Sequence, residues 1–89
     1  MIIDLRKLKH LVTVARVGSL SKATEELHIS QPALSRSIAV VEEELGIRIF
    51  DRSHNGVALT SLGKLAVAEA ESLLNQARIF DHNLTVFCR

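Results

Sequence analysis

The chain has 89 residues, 47% of them hydrophobic, enough for one modest core and too few for a second domain. Eleven Lys and Arg stand against ten Asp and Glu, so the net charge of +1 nominates neither a polyanion nor an acidic partner, and any such case rests on where the charges sit. The single cysteine, Cys88, excludes an internal disulfide and a thiolate zinc cluster; with no signal-peptide core and no run approaching the roughly 20 apolar residues of a spanning helix, the expectation is a soluble, cytoplasmic protein.

In chain order, Leu5 opens a helical stripe through Leu8, Leu11, Val12 and Ala15 that Gly18 closes with a left-handed cap. Ser19 and Ser21 are both candidate N-caps for a short second helix, which turns Ala23 and Leu27 inward and stops near His28 to Ser30. A third helix is expected from about Gln31 to Leu45, with Leu34, Ile38, Val41 and Leu45 on its core face and Gly46 as its cap. Next, "IRIF" and "VAL", joined by "DRSHNG", read as a small β-hairpin turning at Asn55-Gly56.

Thr60 or Ser61 then caps a last helix. In it Ala66, Ala70, Leu73, Ala77, Phe80, Leu84 and Phe87 alternate spacings of four and three, a heptad seam. Some 25 helical residues span ~38 Å, too long to be covered by a small globule, so the seam is expected to meet another chain.

The only proline, Pro32, sits at the front of the third helix, where its missing N–H costs little and its fixed φ suits the first turn. With the apolar stripe inward, Pro32, Ser35, Arg36, Ala39 and Glu43 point outward and Gln31 lies at the edge of the first turn. Acids are confined to the far end, at Glu42, Glu43 and Glu44, so this helix offers its beginning to a polyanion. A helix-turn-helix uses its second helix in this way, with Gln able to pair with adenine, Arg with guanine or phosphate, and Ser with several base edges.

At this point the chain resembles a known family. The segment from Gly18 to Gly63, with "SQPALSRSI", "EEELG", Phe50 with Arg52, and "LTSLG" in order, is similar to the N-terminal domain of LysR-type transcriptional regulators. The resemblance implies a mainly α fold: a winged helix-turn-helix, with a three-helix core and a small β-hairpin wing over residues 1–60, followed by a long C-terminal dimerisation helix over 61–89. It implies a dimer on double-stranded DNA, with Gln31, Pro32, Ser35 and Arg36 at base edges or nearby phosphates. Ser21 and the wing residue Arg52 are then backbone contacts, to which His54, Asn55 and Arg6 are added. The seam from Ala66 to Phe87 becomes the antiparallel homodimer contact.

Three departures bear on this. Ala39-Val40 follow the recognition-helix isoleucine where relatives often carry basic residues, with His54 and Asn55 beside the wing turn instead. Residues 1–60 hold eight basic and seven acidic side chains, so moderate binding that depends on two copies is expected. The two-lobed effector-binding domain of the family is absent from this chain, and a small-molecule inducer would act only through it.

Other chemistry is not expected. The histidines at 10, 28, 54 and 82 lack metal-pair spacing, no cofactor is implied, and neither a nucleophile elbow nor a glycine-rich phosphate loop occurs, so an enzyme is rejected. His10 and His28 read as solvent-facing or helix-end residues, and Lys7, Lys9 and Arg16 as a solvated face. The alternatives are a winged-helix protein-interaction module, for which near-neutral charge argues, and the DNA-binding domain of a molybdate-responsive regulator.

Overall fold

The structure is a computed structural model that describes residues 4–51 and 57–87. Its elements follow the order α1 (Leu5–Val17), α2 (Leu20–Leu27), α3 (Gln31–Leu45), β1 (Phe50–Asp51), β2 (Ala58–Leu59) and α4 (Ser61–Phe87). The hairpin turn, with Asn55-Gly56, lies outside the described residues.

Local chemistry sets most boundaries. The Asp4 carboxylate accepts from the Arg6 N–H at 2.9 Å and so satisfies an orphan donor at the start of α1. At its end Gly18 takes φ 70°, and its N–H reaches the Val14 carbonyl at 2.9 Å. For α2, Ser19 rather than Ser21 is the cap: its hydroxyl accepts from the Lys22 N–H at 3.3 Å. This helix closes without glycine, on His28 in the left-handed region at φ 57°. Ser30 caps α3 by accepting from the Ala33 N–H at 3.2 Å, and Pro32 occupies the first turn, where its ring removes no helical hydrogen bond.

The core lies where α1, α2 and α3 meet, with Leu11, Val14, Ala23, Leu34, Ile38 and Ile49 fully buried and Phe50 nearly so. The α1 stripe is rotated from the sequence expectation: Leu8, Leu11 and Val14 are buried, while Val12 and Ala15 flank them half-buried. Leu45 is the exception on α3. Expected inside, it is 38% exposed in the last turn, where it borders an open groove shared with α1 and α4.

The wing is a minimal antiparallel pair, Phe50 opposite Leu59 and Asp51 opposite Ala58. Two residues per strand make too little ladder to stand alone, and side chains from both flanking helices hold it. The Glu42 carboxylate at the back of α3 accepts from the Ile49 N–H at 2.8 Å and the Phe50 N–H at 3.3 Å. Thr60 ties the other side: its N–H donates to the Ile49 carbonyl at 3.0 Å, and its hydroxyl donates to the Arg48 carbonyl while accepting from the Gly63 N–H at 2.9 Å. The last bond settles Thr60 as the cap of α4.

Gly63 is buried, and a Cβ added there would overlap the Ile49 carbonyl carbon and oxygen, both backbone atoms. The glycine is therefore required by a close approach of α4 to the wing. Gly63→Ala is expected to lower stability by about 1–3 kcal/mol, the usual cost of forcing a methyl into filled space, read as a shift in the urea midpoint at unchanged m-value.

Candidate nucleic-acid interface

The first turn of α3 contains no carboxylate, and Gln31, Pro32, Ala33, Arg36 and Ala39 are exposed along its outer face. Ser35 is half-buried on the flank. The four residues expected at base edges thus lie within six positions of one helix start, three of them open to solvent. Two effects favour an anion here: the positive end of the α3 helix dipole and the guanidinium of Arg36. Glu43 and Glu44 are exposed at the opposite end, about two turns away.

Of the expected backbone contacts, Ser21 is exposed in the first turn of α2, and the Arg6 side chain is 91% exposed. Arg6 Nε stays 3.9 Å from the Asp4 carboxylate, a loose surface pair. Arg52, His54 and Asn55 lie outside the described residues. Lys7 pairs with Asp4 at 3.2 Å, and Arg16 pairs with Glu26 across α1 and α2; both cations are partly neutralised, in keeping with a solvated face. The Lys7 hydrogen bond, helped by the Arg6 N–H, holds the Asp4 carboxyl below the usual carboxylate range.

Sequence reasoning missed the contact that joins α1 to this helix. His10 was expected in solvent, yet it is half-buried and its Nδ1 lies 2.8 Å from the Ser37 hydroxyl, 27 residues on. Ser37 itself is 7% exposed and faces inward with Ile38 and Val41. Its hydroxyl on the core face of an otherwise apolar stripe was the available signal, since a buried hydroxyl demands a partner. His10, Lys7 and Asp4 line one wall of a cleft whose other wall is Pro32, Ala33, Arg36 and Ser37. His28, by contrast, ends α2 as expected.

The seam of α4 divides in two. Ala70 is 2% exposed against the chain's own core, and Ala66 and Ala77 are half-buried, which corrects the expectation that the whole stripe is free. The cause is that the first turns of α4 lie along α1 and the wing. Leu73 is 43% exposed beside α1, and Phe80, Leu84 and Phe87, 47–83% exposed, lie on the C-terminal half of the helix. Among the described residues, no group of His, Cys, Asp or Glu is placed to hold a metal ion, and no helix is long and apolar enough to cross a membrane.

Two helices joined by a tight turn, the second showing its N-terminus to solvent, a hairpin beside them and a long trailing helix define a winged helix-turn-helix domain. The profile described as "Bacterial regulatory helix-turn-helix protein, lysR family" matches residues 5–64. The SDS degradation transcriptional activation protein of Pseudomonas sp. is 45% identical over 75 residues, covering 84% of this chain and 24% of that protein. A crystal structure of the CbnR DBD–DNA complex superposes with a TM-score of 0.91 at 31% identity, covering 98% of this chain and 100% of that one. Vibrio fischeri DarR in complex with DNA gives a TM-score of 0.95 at 30% identity, covering 99% of this chain and 30% of that one. The chain belongs to the LysR family of bacterial helix-turn-helix regulators and carries the DNA-binding domain of that family. It spans between 22% and 50% of the length of the curated relatives it matches, and about a quarter of most of them.

Burial lowers the pKa of His10, with Asp4 opposing and Arg6, Lys7 and Lys9 reinforcing the shift. The folded state then favours neutral imidazole, while an unfolded histidine titrates near 6.5, so on acidification the unfolded chain binds more protons and stability falls. Melting temperature is expected to decline as pH drops below about 6.5, well above the range in which carboxylates protonate, and His10→Gln should flatten that decline.

Proposed function

We propose that this chain binds double-stranded DNA sequence-specifically as a two-fold homodimer, within a transcription regulator working in the cytoplasm. Residues 1–60 form the DNA-binding unit and residues 61–89 the dimerisation helix. The observation that carries this reading is the start of α3, solvent-exposed and free of acids, with Gln31, Pro32 and Arg36 on one surface.

The chemistry follows from that surface. The Gln31 amide suits adenine, the Arg36 guanidinium guanine or a phosphate, Ser35 either kind of edge, and the Pro32 ring a thymine methyl. Ser21 and Arg6 supply backbone contacts. Arg52, His54 and Asn55 join them on the strength of the family resemblance alone. Residues 1–60 carry eight basic against seven acidic side chains, so each copy makes few phosphate contacts and two copies are needed for firm binding. Two recognition helices related by a two-fold axis address half-sites about one helical turn (~34 Å) apart, or farther if the long helices splay them. The relatives solved with DNA support duplex DNA as the ligand.

Affinity for a duplex selected from a random pool is expected to fall steeply with added salt; a flat response would favour a protein-interaction module. Arg36→Ala should weaken operator binding by about 1–3 kcal/mol and relax base preference at one position, whereas Arg52→Ala should weaken all sequences alike. An Arg36→Ala protein with intact sequence preference would refute the base-contact role. Leu73→Asp with Phe80→Asp is expected to give monomers by sedimentation, because each places a charge in the exposed seam.

A further inference from the structure

Among the described residues, one side-chain hydrogen bond joins α1 to α3: His10 Nδ1 lies 2.8 Å from the Ser37 hydroxyl. Leu34, Ile38 and Val41 press the same face of α3 into the core, but apolar burial has no preferred direction. Ser37 follows Arg36 in the chain, and among the described residues Arg36 has no carboxylate partner. The reach of its guanidinium is therefore set by where the backbone of that turn lies.

A proton changes this bond. Neutral imidazole accepts at Nδ1 from the Ser37 hydroxyl, whereas imidazolium carries N–H at both ring nitrogens and accepts nothing. Once His10 is charged, Nδ1 donates to the Ser37 oxygen and the hydroxyl hydrogen turns to another acceptor. Within a helix the nearest is the carbonyl four residues back, here that of Ala33, and a serine bonded in this way bends its helix slightly. The turn from Ala33 to Ser37 is the one that carries Arg36. The charged groups about the imidazole are Asp4, Arg6, Lys7 and Lys9 from its own helix and cap. Across the cleft α3 contributes Arg36, and neither α2 nor α4 adds a titratable side chain to the lining. Burial first, then the three cations of α1, outweigh Asp4 and keep the ring neutral near neutral pH.

We propose that His10 is a positioning residue for base reading: through Ser37 its neutral ring holds the Arg36 turn of α3 in the geometry that selects a base, and protonation gives that selection up. The inference rests on the DNA-binding reading and adds to it a residue that touches no base. Charge and selectivity then pull apart on acidification, since a cation at His10 attracts any duplex while only the neutral ring supports discrimination.

The test compares, for the full chain, affinity for a duplex selected from a random pool with affinity for the same duplex changed at the base pair whose preference Arg36→Ala relaxes. The ratio cancels the added charge of the imidazolium, which acts on both duplexes alike. It is expected to fall about fivefold or more between about pH 7.5 and about pH 5, at unchanged helical content, a sizeable part of what a base contact supplies. His10→Asn sets an amide in the place of Nδ1 and does not titrate; its ratio should stay within about twofold of the parent's neutral value at both pH values. Ser37→Ala, favourable in a helix, carries the same test without acid: its ratio should be about fivefold lower at neutral pH and flat with pH. His28, His54 and His82 are untouched throughout, so a decline that persists in His10→Asn arises elsewhere and overturns the inference. A parental ratio that is flat with pH, or a Ser37→Ala ratio equal to the parent's at neutral pH, also overturns it and leaves DNA binding standing. Binding to no duplex at either pH overturns the DNA-binding reading and this inference with it.

Discussion

The arrangement depends on one burial: the Leu34, Ile38 and Val41 face of α3 against Leu11 and Val14 of α1. Removing three large aliphatic side chains from water is worth several kcal/mol, and it fixes the rotation of α3 about its own axis. Once that rotation is set, the opposite side of the helix has no choice but to face solvent. Pro32, Arg36 and Ala39 are outside because Leu34 and Ile38 are inside. The His10 to Ser37 bond adds direction to what apolar packing alone leaves free to slide.

Charge placement does the work that net charge does not. Two cations of the first helix sit beside acids, Lys7 with Asp4 and Arg16 with Glu26. The acids of α3 are held at its far end, where Glu42 serves as an acceptor for wing amides. What remains near the start of α3 is Arg36 with no carboxylate in its turn. A chain of net charge +1 can thus still hold a local field of one sign, though a short-ranged one, screened within about 10 Å at ordinary salt.

Much of this was legible in the sequence. The bounds of α3, the caps at Gly18 and Gly46, the hairpin after Gly46 and the run of α4 follow from periodicity and turn chemistry, which act over a few residues. What escaped depends on residues distant in sequence. Val14 replaces Val12 at the centre of the α1 stripe because its side chain is the one enclosed in the core shared with α2 and α3. Leu45 is exposed because it borders an open groove beside α1 and α4 rather than the closed core. His10 finds Ser37 only once two helices are packed, and Ala70 is buried because α4 starts by lying on its own globule. His28 closes α2 where the sequence expects the helix to stop, and the positive φ it takes there, without a glycine, is the detail that the sequence does not show.

Ile49 is gripped from both directions. Its amide is held by Glu42 of α3, its carbonyl by Thr60 at the root of α4, and its side chain is sealed in the core. With Gly63 pressed against the same carbonyl, no compliant joint separates the hairpin from the long helix. Torque applied to the distal turns of that lever is delivered as a rigid tilt of the whole head, so in the proposed dimer the spacing between two heads on a duplex would be governed by the angle at which their levers cross.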